Sequence, residues 1–231
     1  MLKLSNKNFL KARDYIFANS DDINRAWFKY NFEGKDTSAF LDALAKYQHE
    51  DGGFGGLVYE FEYQGPCLKC TEHAFCYMFY LKDKPSADHP VVQKMMKYVL
   101  GKYRPDVGHF GQMEEPSLNE QPHVRWWEYN ADECPPIADE DERILKHSPN
   151  GQAGIVAFIA QYSELVPGDL YQDIIKYPVE KILRYYDKES PLYGTGSVDD
   201  SFEYDDQSPY NLKCYQKFVA CLKDKPLADK L

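Results

Sequence analysis

One local pattern recurs along this chain and restricts what it can fold into. A helical run ends in a tyrosine-containing turn, a polar spacer follows, and an aromatic residue is then joined to glycine. The first copy is LAKYQHEDGGFGG at 44–56, with Phe54–Gly55. The second is VLGKYRPDVGHFGQ at 99–112, with Phe110–Gly111. A third, more divergent copy is ILRYYDKESPLYGTG at 182–196, with Tyr193–Gly194. Glycine reaches the left-handed conformation that ends a helix, so these turns read as joints between helices. A phosphate cradle is the competing reading of so many glycines. It would need a GxxxxGK[ST] run after a strand, which is absent, and here the glycines follow a helix.

The segments between the joints are helical by period. Residues 5–19 place Phe9, Leu10, Ala12, Ile16 and Phe17 near one face, with Ser5 as N-cap. Residues 37–48 place Phe40, Leu41, Leu44 and Tyr47 together, capped by Asp36. Residues 90–103 open with Pro90, and 170–186 form a longer amphipathic run in which Pro178 predicts a kink or break. Residues 70–81, 151–163 and 209–222 are far more apolar. Amphipathic helices therefore precede each joint and apolar ones follow it, which predicts an outer and an inner set. No alternation or hairpin dipeptide supports strands. The fold class is all-α, a single domain over 1–231. Its exception is 104–149, which carries six prolines and reads as a long irregular loop. That loop also explains why the second and third aromatics stand 83 residues apart and the first two only 56.

Composition fits a packed domain, with 43% hydrophobic and 15% aromatic residues. A net charge of −10 argues against nucleic acid as a partner. No run approaches the roughly 18 apolar residues of a membrane span, and the N-terminus lacks the uncharged core of a signal peptide. The reading is a cytoplasmic protein whose six cysteines are reduced thiols.

The first joint, with Leu44, Gln48, Asp51, Gly52 and Phe54, resembles the QW-type repeat of the terpenoid cyclase and protein prenyltransferase superfamily. HVRWWEYN followed by SPNGQAGIVAFIAQY resembles uncharacterised bacterial prenyltransferase-like proteins of that group. The resemblance covers about residues 35–220 and implies an α/α toroid of helical hairpins, here incomplete at about three and a half hairpins. It implies a central cavity that accepts an isoprenoid or other apolar small molecule. Cys70, His73 and Tyr77 would face that cavity, and Trp126 and Trp127 would cover its mouth. Two departures bear on catalysis. In LKCTEH, Lys69 stands where cyclases of the superfamily carry the proton-donating aspartate, and no zinc-binding triad accompanies Cys214. Whether the chain is an enzyme is thus left open, and a non-catalytic scaffold with a protein partner, or a degenerate toroid fragment, is the alternative.

Three further constellations have structural explanations beside their chemical ones. Cys67, Cys70 and His73 have zinc-like spacing but lack a second ligand pair, and buried thiols with a core histidine are the favoured explanation. Asp199, Asp200 and Glu203 imitate a magnesium–diphosphate motif, while the polar run around them reads as a loop that caps the last helix. The acidic run DEDER at 139–143 reads as solvated surface. No cofactor is predicted, zinc and magnesium being the two ions these spacings would accommodate.

Overall fold

The helix signals in the sequence act locally, through caps and apolar stripes, and they set most of the element boundaries. A computed structural model describes residues 4–131, 139–146, 152–185 and 209–231. In chain order the helices are α1 (Asn6–Asn19), α2 (Asp22–Phe32), α3 (Thr37–Ala45), α4 (Leu68–Phe79) and α5 (Pro90–Lys102). They continue with α6 (Glu140–Lys146), α7 (Gln152–Gln161), α8 (Gly168–Tyr185), α9 (Pro209–Cys221) and α10 (Lys225–Lys230). Among the described residues there are no strands, only isolated bridges such as Gln48 with Phe54 and Arg104 with His109. The chain is all-α, and no described helix is long and apolar enough to cross a membrane.

The predicted caps are in place. Ser5 Oγ accepts from Asn8 N at 3.3 Å, and Asp36 Oδ1 accepts from Ala39 N at 2.9 Å. Pro178 lies inside α8 and does not end it. Three helices were not foreseen. In α2, Asp21 caps the first turn by accepting from Asn24 N at 2.8 Å, and Ile23 and Phe28 are buried. In α10, Asp224 does the same for Leu227 N at 3.1 Å. The third, α6, places the solvent-facing acids of DEDER on a helix and not in an irregular loop. Those acids form the first turn of a helix, where the unpaired N–H groups favour negative charge, and Asp139 Oδ1 accepts from Glu142 N at 2.9 Å.

The proline-rich segment is also more ordered than a free loop. It forms 3-10 turns at Pro116–Glu120 and Arg125–Trp127, and Leu118 is fully buried. Backbone hydrogen bonds tie it to the segment after the first joint: Glu62 N to Pro122 O at 2.9 Å and Val124 N to Glu60 O at 3.0 Å. Proline removes helical N–H donors, so this stretch satisfies its backbone against neighbouring chain instead.

The apolar helices form one continuous row, α4 packing on α7 and α7 on α9. Every residue of α7 from Gln152 to Ala160 is buried, so α7 is the centre of the core. Each of the first two joints is held against this row in the same way. Phe54 is completely buried and its N–H donates to Thr71 Oγ1 in α4 at 3.0 Å. Phe110 is equally enclosed and its N–H donates to Gln152 Oε1 at the start of α7, at 3.4 Å. On the other side each joint presses on the next amphipathic helix. A Cβ at Gly53 would lie 2.6 Å from the Tyr98 ring of α5, and one at Gly108 would lie 2.4 Å from the Tyr177 ring of α8. Polar side chains repeat the relation, with Gln48 Nε2 donating to Val91 O at 3.0 Å and Tyr103 Oη donating to Asp173 at 2.6 Å. The third joint lies outside the described residues.

The first joint sets a sharp test. Gly52 has φ +97°, and a Cβ there would come within 2.0 Å of the Lys94 carbonyl oxygen. Gly52→Ala should lower the unfolding free energy by about 2 kcal/mol or more in a denaturant titration. Gly101 in α5 has open space around it, so Gly101→Ala should be neutral or stabilise by up to about 1 kcal/mol.

Candidate functional site

The helix α4 divides its polar residues between two faces, because positions three or four apart stack on one side. Cys70, His73 and Tyr77 share the first face. Cys70 is fully buried, with its sulfur against the backbone of Leu57 and Val58. His73 Nδ1 lies 3.2 Å from the Leu57 carbonyl oxygen, and burial moves its pKa down. Tyr77 packs edge-on to Trp27 at 5.4 Å and against Phe40 at 5.8 Å. These three residues are thus turned toward the preceding hairpin, while the opposite face of α4 meets α7 and α9. Cys67 caps α4, its sulfur accepting from Cys70 N at 3.3 Å. Among the described residues no three or more His, Cys, Asp or Glu side chains are grouped to hold a metal ion.

Trp127 is buried and donates its indole N–H to the Glu60 carboxylate. Its ring packs edge-on to Phe61 at 6.3 Å, so it closes the seam between the proline-rich segment and the first joint. The side chain of Trp126 lies outside the described set, as do Asp199, Asp200 and Glu203.

The second face of α4 carries a buried polar array that no sequence motif announced. Lys69, Glu72 and Lys217 are 3%, 1% and 9% exposed, far below what charged side chains normally show. Lys69 Nζ lies 3.4 Å from Glu72 Oε2 and 4.9 Å from the centre of the Trp127 ring. The Cys76 thiol donates to Glu72 Oε1 at 2.9 Å, and Lys217 Nζ of α9 donates to Cys76 Sγ at 2.8 Å. The result is a continuous hydrogen-bonded chain from α4 to α9. It passes over α7 at Gly154, where a Cβ would come within 2.5 Å of Glu72 Cγ and Oε1. A small residue at 154 is therefore a condition for the carboxylate to sit there. Lys69 and Glu72 were visible three apart in LKCTEH, but Lys217 is 141 residues beyond Cys76 and has no local signal.

The charge states follow from the surroundings. Burial is the largest influence on Glu72 and alone would raise its pKa. The Lys69 ammonium, with His73, the Cys76 hydrogen bond and Lys217, outweighs that and leaves the pKa lowered, so Glu72 is a carboxylate. Burial, reinforced by the Glu72 charge, pushes the Cys76 thiol up to about 12. Burial works against the charge on Lys217, but Cys76 and Glu72 reverse it and its pKa is raised. At neutral pH Glu72 is a carboxylate, Lys217 an ammonium ion and Cys76 a neutral thiol. Such a set supplies no thiolate nucleophile. Nor does Glu72 offer a proton that could start a cationic reaction. The array joins helices and places charge inside the row.

No protein-family model, no curated protein and no solved structure matches the chain.

Glu72→Gln should destabilise by about 3–5 kcal/mol, because it leaves Lys69 and Lys217 buried without their carboxylate. A carboxylate whose pKa is lowered by folding contributes stability above its unfolded value, and that contribution is lost as pH falls through the folded value. Unfolding titrations across the acid range should therefore show a flatter pH dependence for Glu72→Gln than for the parent chain. Native alkylation by iodoacetamide at neutral pH, read by peptide mass spectrometry, should be slow at Cys76 and become fast on unfolding.

Proposed function

We propose that the chain is built on the plan of an α/α toroid and binds an isoprenoid or other apolar ligand against its inner helices without protonating it. The observation that carries this reading is the repeated clamp. Each joint lies between the apolar helix that follows it and the next amphipathic helix, through Thr71 and Tyr98 at the first and Gln152 and Tyr177 at the second. Repetition of one packing unit from α4 to α7, with α9 packed on α7, is what an inner ring of helices requires. The absence of protonation chemistry rests on the array. The position that resembles a cyclase acid is Lys69, and Glu72 beside it is held as a carboxylate. Catalysis of a cationic cyclisation would need a strong acid at that place.

Calorimetry and thermal-shift measurements with farnesyl and geranylgeranyl diphosphate test the binding. Saturable heat and a raised melting temperature, with only unchanged ligand recovered by mass spectrometry, are the expected results. Absence of heat and of any thermal shift with both compounds overturns the diphosphate version, and a cyclised product overturns the non-protonating one.

A second reading, a non-catalytic interaction scaffold, is favoured by a specific observation. Phe75 and Phe158 are fully buried and meet edge-to-face at 5.6 Å, so these aromatics of the row are engaged with each other. That reading expects the protein to purify without an extractable apolar ligand and to ignore both diphosphates.

A further inference from the structure

The first hairpin carries a second polar site on its outer side. A cavity of about 460 Å³ opens between α2 and α3, a volume within the range of small-molecule sites. Its rim holds Arg25 and Lys29 from α2, Lys35 from the connection, and Lys46 at the end of α3, with Asp22 as the one acidic lining residue. Four cations around one carboxylate is the reverse of the chain as a whole, whose net charge is −10. The apolar part of its lining is Ala26, Ala39 and Ala43 beside Phe17 and Phe40.

Asp22 does not neutralise this ring. It stands 3.5 Å from Arg25 Nη1 and 3.5 Å from Lys46 Nζ, both longer than a good charge-assisted hydrogen bond. Arg25 Nε is buried with no hydrogen-bond partner among the described residues, a costly state for a guanidinium donor. The Lys29 ammonium lies over the Phe17 ring at 5.3 Å, and both residues line the cavity. One carboxylate among four cations leaves the cavity lining with a formal excess of positive charge, which favours an entering anion.

We propose that the cavity between α2 and α3 is a binding site for a small organic phosphate, the cations of Arg25, Lys29, Lys35 and Lys46 gripping the phosphate and the alanine-lined part taking its apolar body. A phosphate dianion suits this ring because the lysines act as mobile point charges and the arginine as a planar fork. The site is built from α2, α3 and Phe17 of α1, and it does not depend on what the inner helices bind.

A two-dimensional 15N NMR titration with phenyl phosphate tests it, with inorganic phosphate and the neutral analogue phenol as comparisons. Phenyl phosphate should give saturable shifts centred on amides 22–46, with a dissociation constant at or below about 1 mM that weakens with added salt. Inorganic phosphate should bind the same amides more weakly, and phenol should not saturate. The double variant Lys29→Gln/Lys46→Gln should lose about tenfold or more in affinity, while Lys97→Gln on the exposed side of α5 should change it less than roughly twofold. Lys35→Gln alone, on the exposed connection, gives a milder loss should the double variant fold poorly. Co-sedimentation with phosphatidylcholine vesicles containing phosphatidic acid separates the sources: vesicle binding without phenyl phosphate binding assigns a lipid phosphate, and the reverse a soluble one. No saturable shift up to about 10 mM together with no vesicle binding overturns the proposal, as does an equal loss from Lys97→Gln.

Discussion

The structure depends on how two buried backbone donors are satisfied. Phe54 and Phe110 leave water completely or nearly so, and an unpaired N–H in that position would cost about 1–3 kcal/mol. In the first joint the acceptor is a threonine one turn into α4, and in the second a glutamine at the start of α7. Thr71 Oγ1 in turn donates to Cys67 O at 2.8 Å, and Gln152 Nε2 donates to Gly111 O at 3.2 Å. Different side chains thus solve one problem at equivalent places. The aromatic anchors the joint in the core, and the polar side chain of the next helix makes that anchoring tolerable. Because each solution links a joint to the helix after it, the chain is drawn into a row.

Once the row exists, the buried array restricts its register. Replacing a buried ion pair by apolar side chains is often neutral, so Lys69, Glu72 and Lys217 are poor evidence of stability for its own sake. Their geometry says something else. Glu72 uses one oxygen for Lys69 and the other for Cys76, and Cys76 both donates to Glu72 and accepts from Lys217. A slide of α9 by one residue along the row would break the last link and leave a buried ammonium without its sulfur partner. The glycine at 154 lets this chain cross α7 without displacing it.

The parts of the fold that could be read from sequence are those set by short-range physics. Ser5 and Asp36 cap the helices they precede because a side-chain oxygen three residues before an N–H needs no tertiary help. Helix α2 was missed although Ile23, Trp27 and Tyr30 follow a helical period, because Asn19–Asp22 looks like polar loop rather than a cap. The acids of DEDER are at the surface as expected, but the helix they begin was not read, because charge at a helix start and charge on a solvated loop look alike in sequence. For the site, the first face of α4 was expected to look into a central cavity, and its observed contacts are with Leu57, Trp27 and Phe40. Cys70, His73 and Tyr77 are on one face by periodicity, yet periodicity cannot say which neighbour that face meets. Lys217 was out of reach altogether, since only the row brings it to Cys76.

The orientation of α4 connects the two polar regions of the molecule. Phe40 lines the cationic cavity and also packs against Tyr77, while Tyr77 shares α4 with Glu72 and Cys76 on a different face. The cations are therefore sorted by what surrounds them. Lys69 and Lys217 are desolvated and locked by a carboxylate, a thiol and aromatic faces, which leaves them little freedom to grip anything new. Lys29 and Lys46 keep contact with water and meet only a ring face and a long ion pair. Buried charge here fixes helices. Charge that can still exchange partners lines the cavity between α2 and α3, where an anion would find donors at a small desolvation cost.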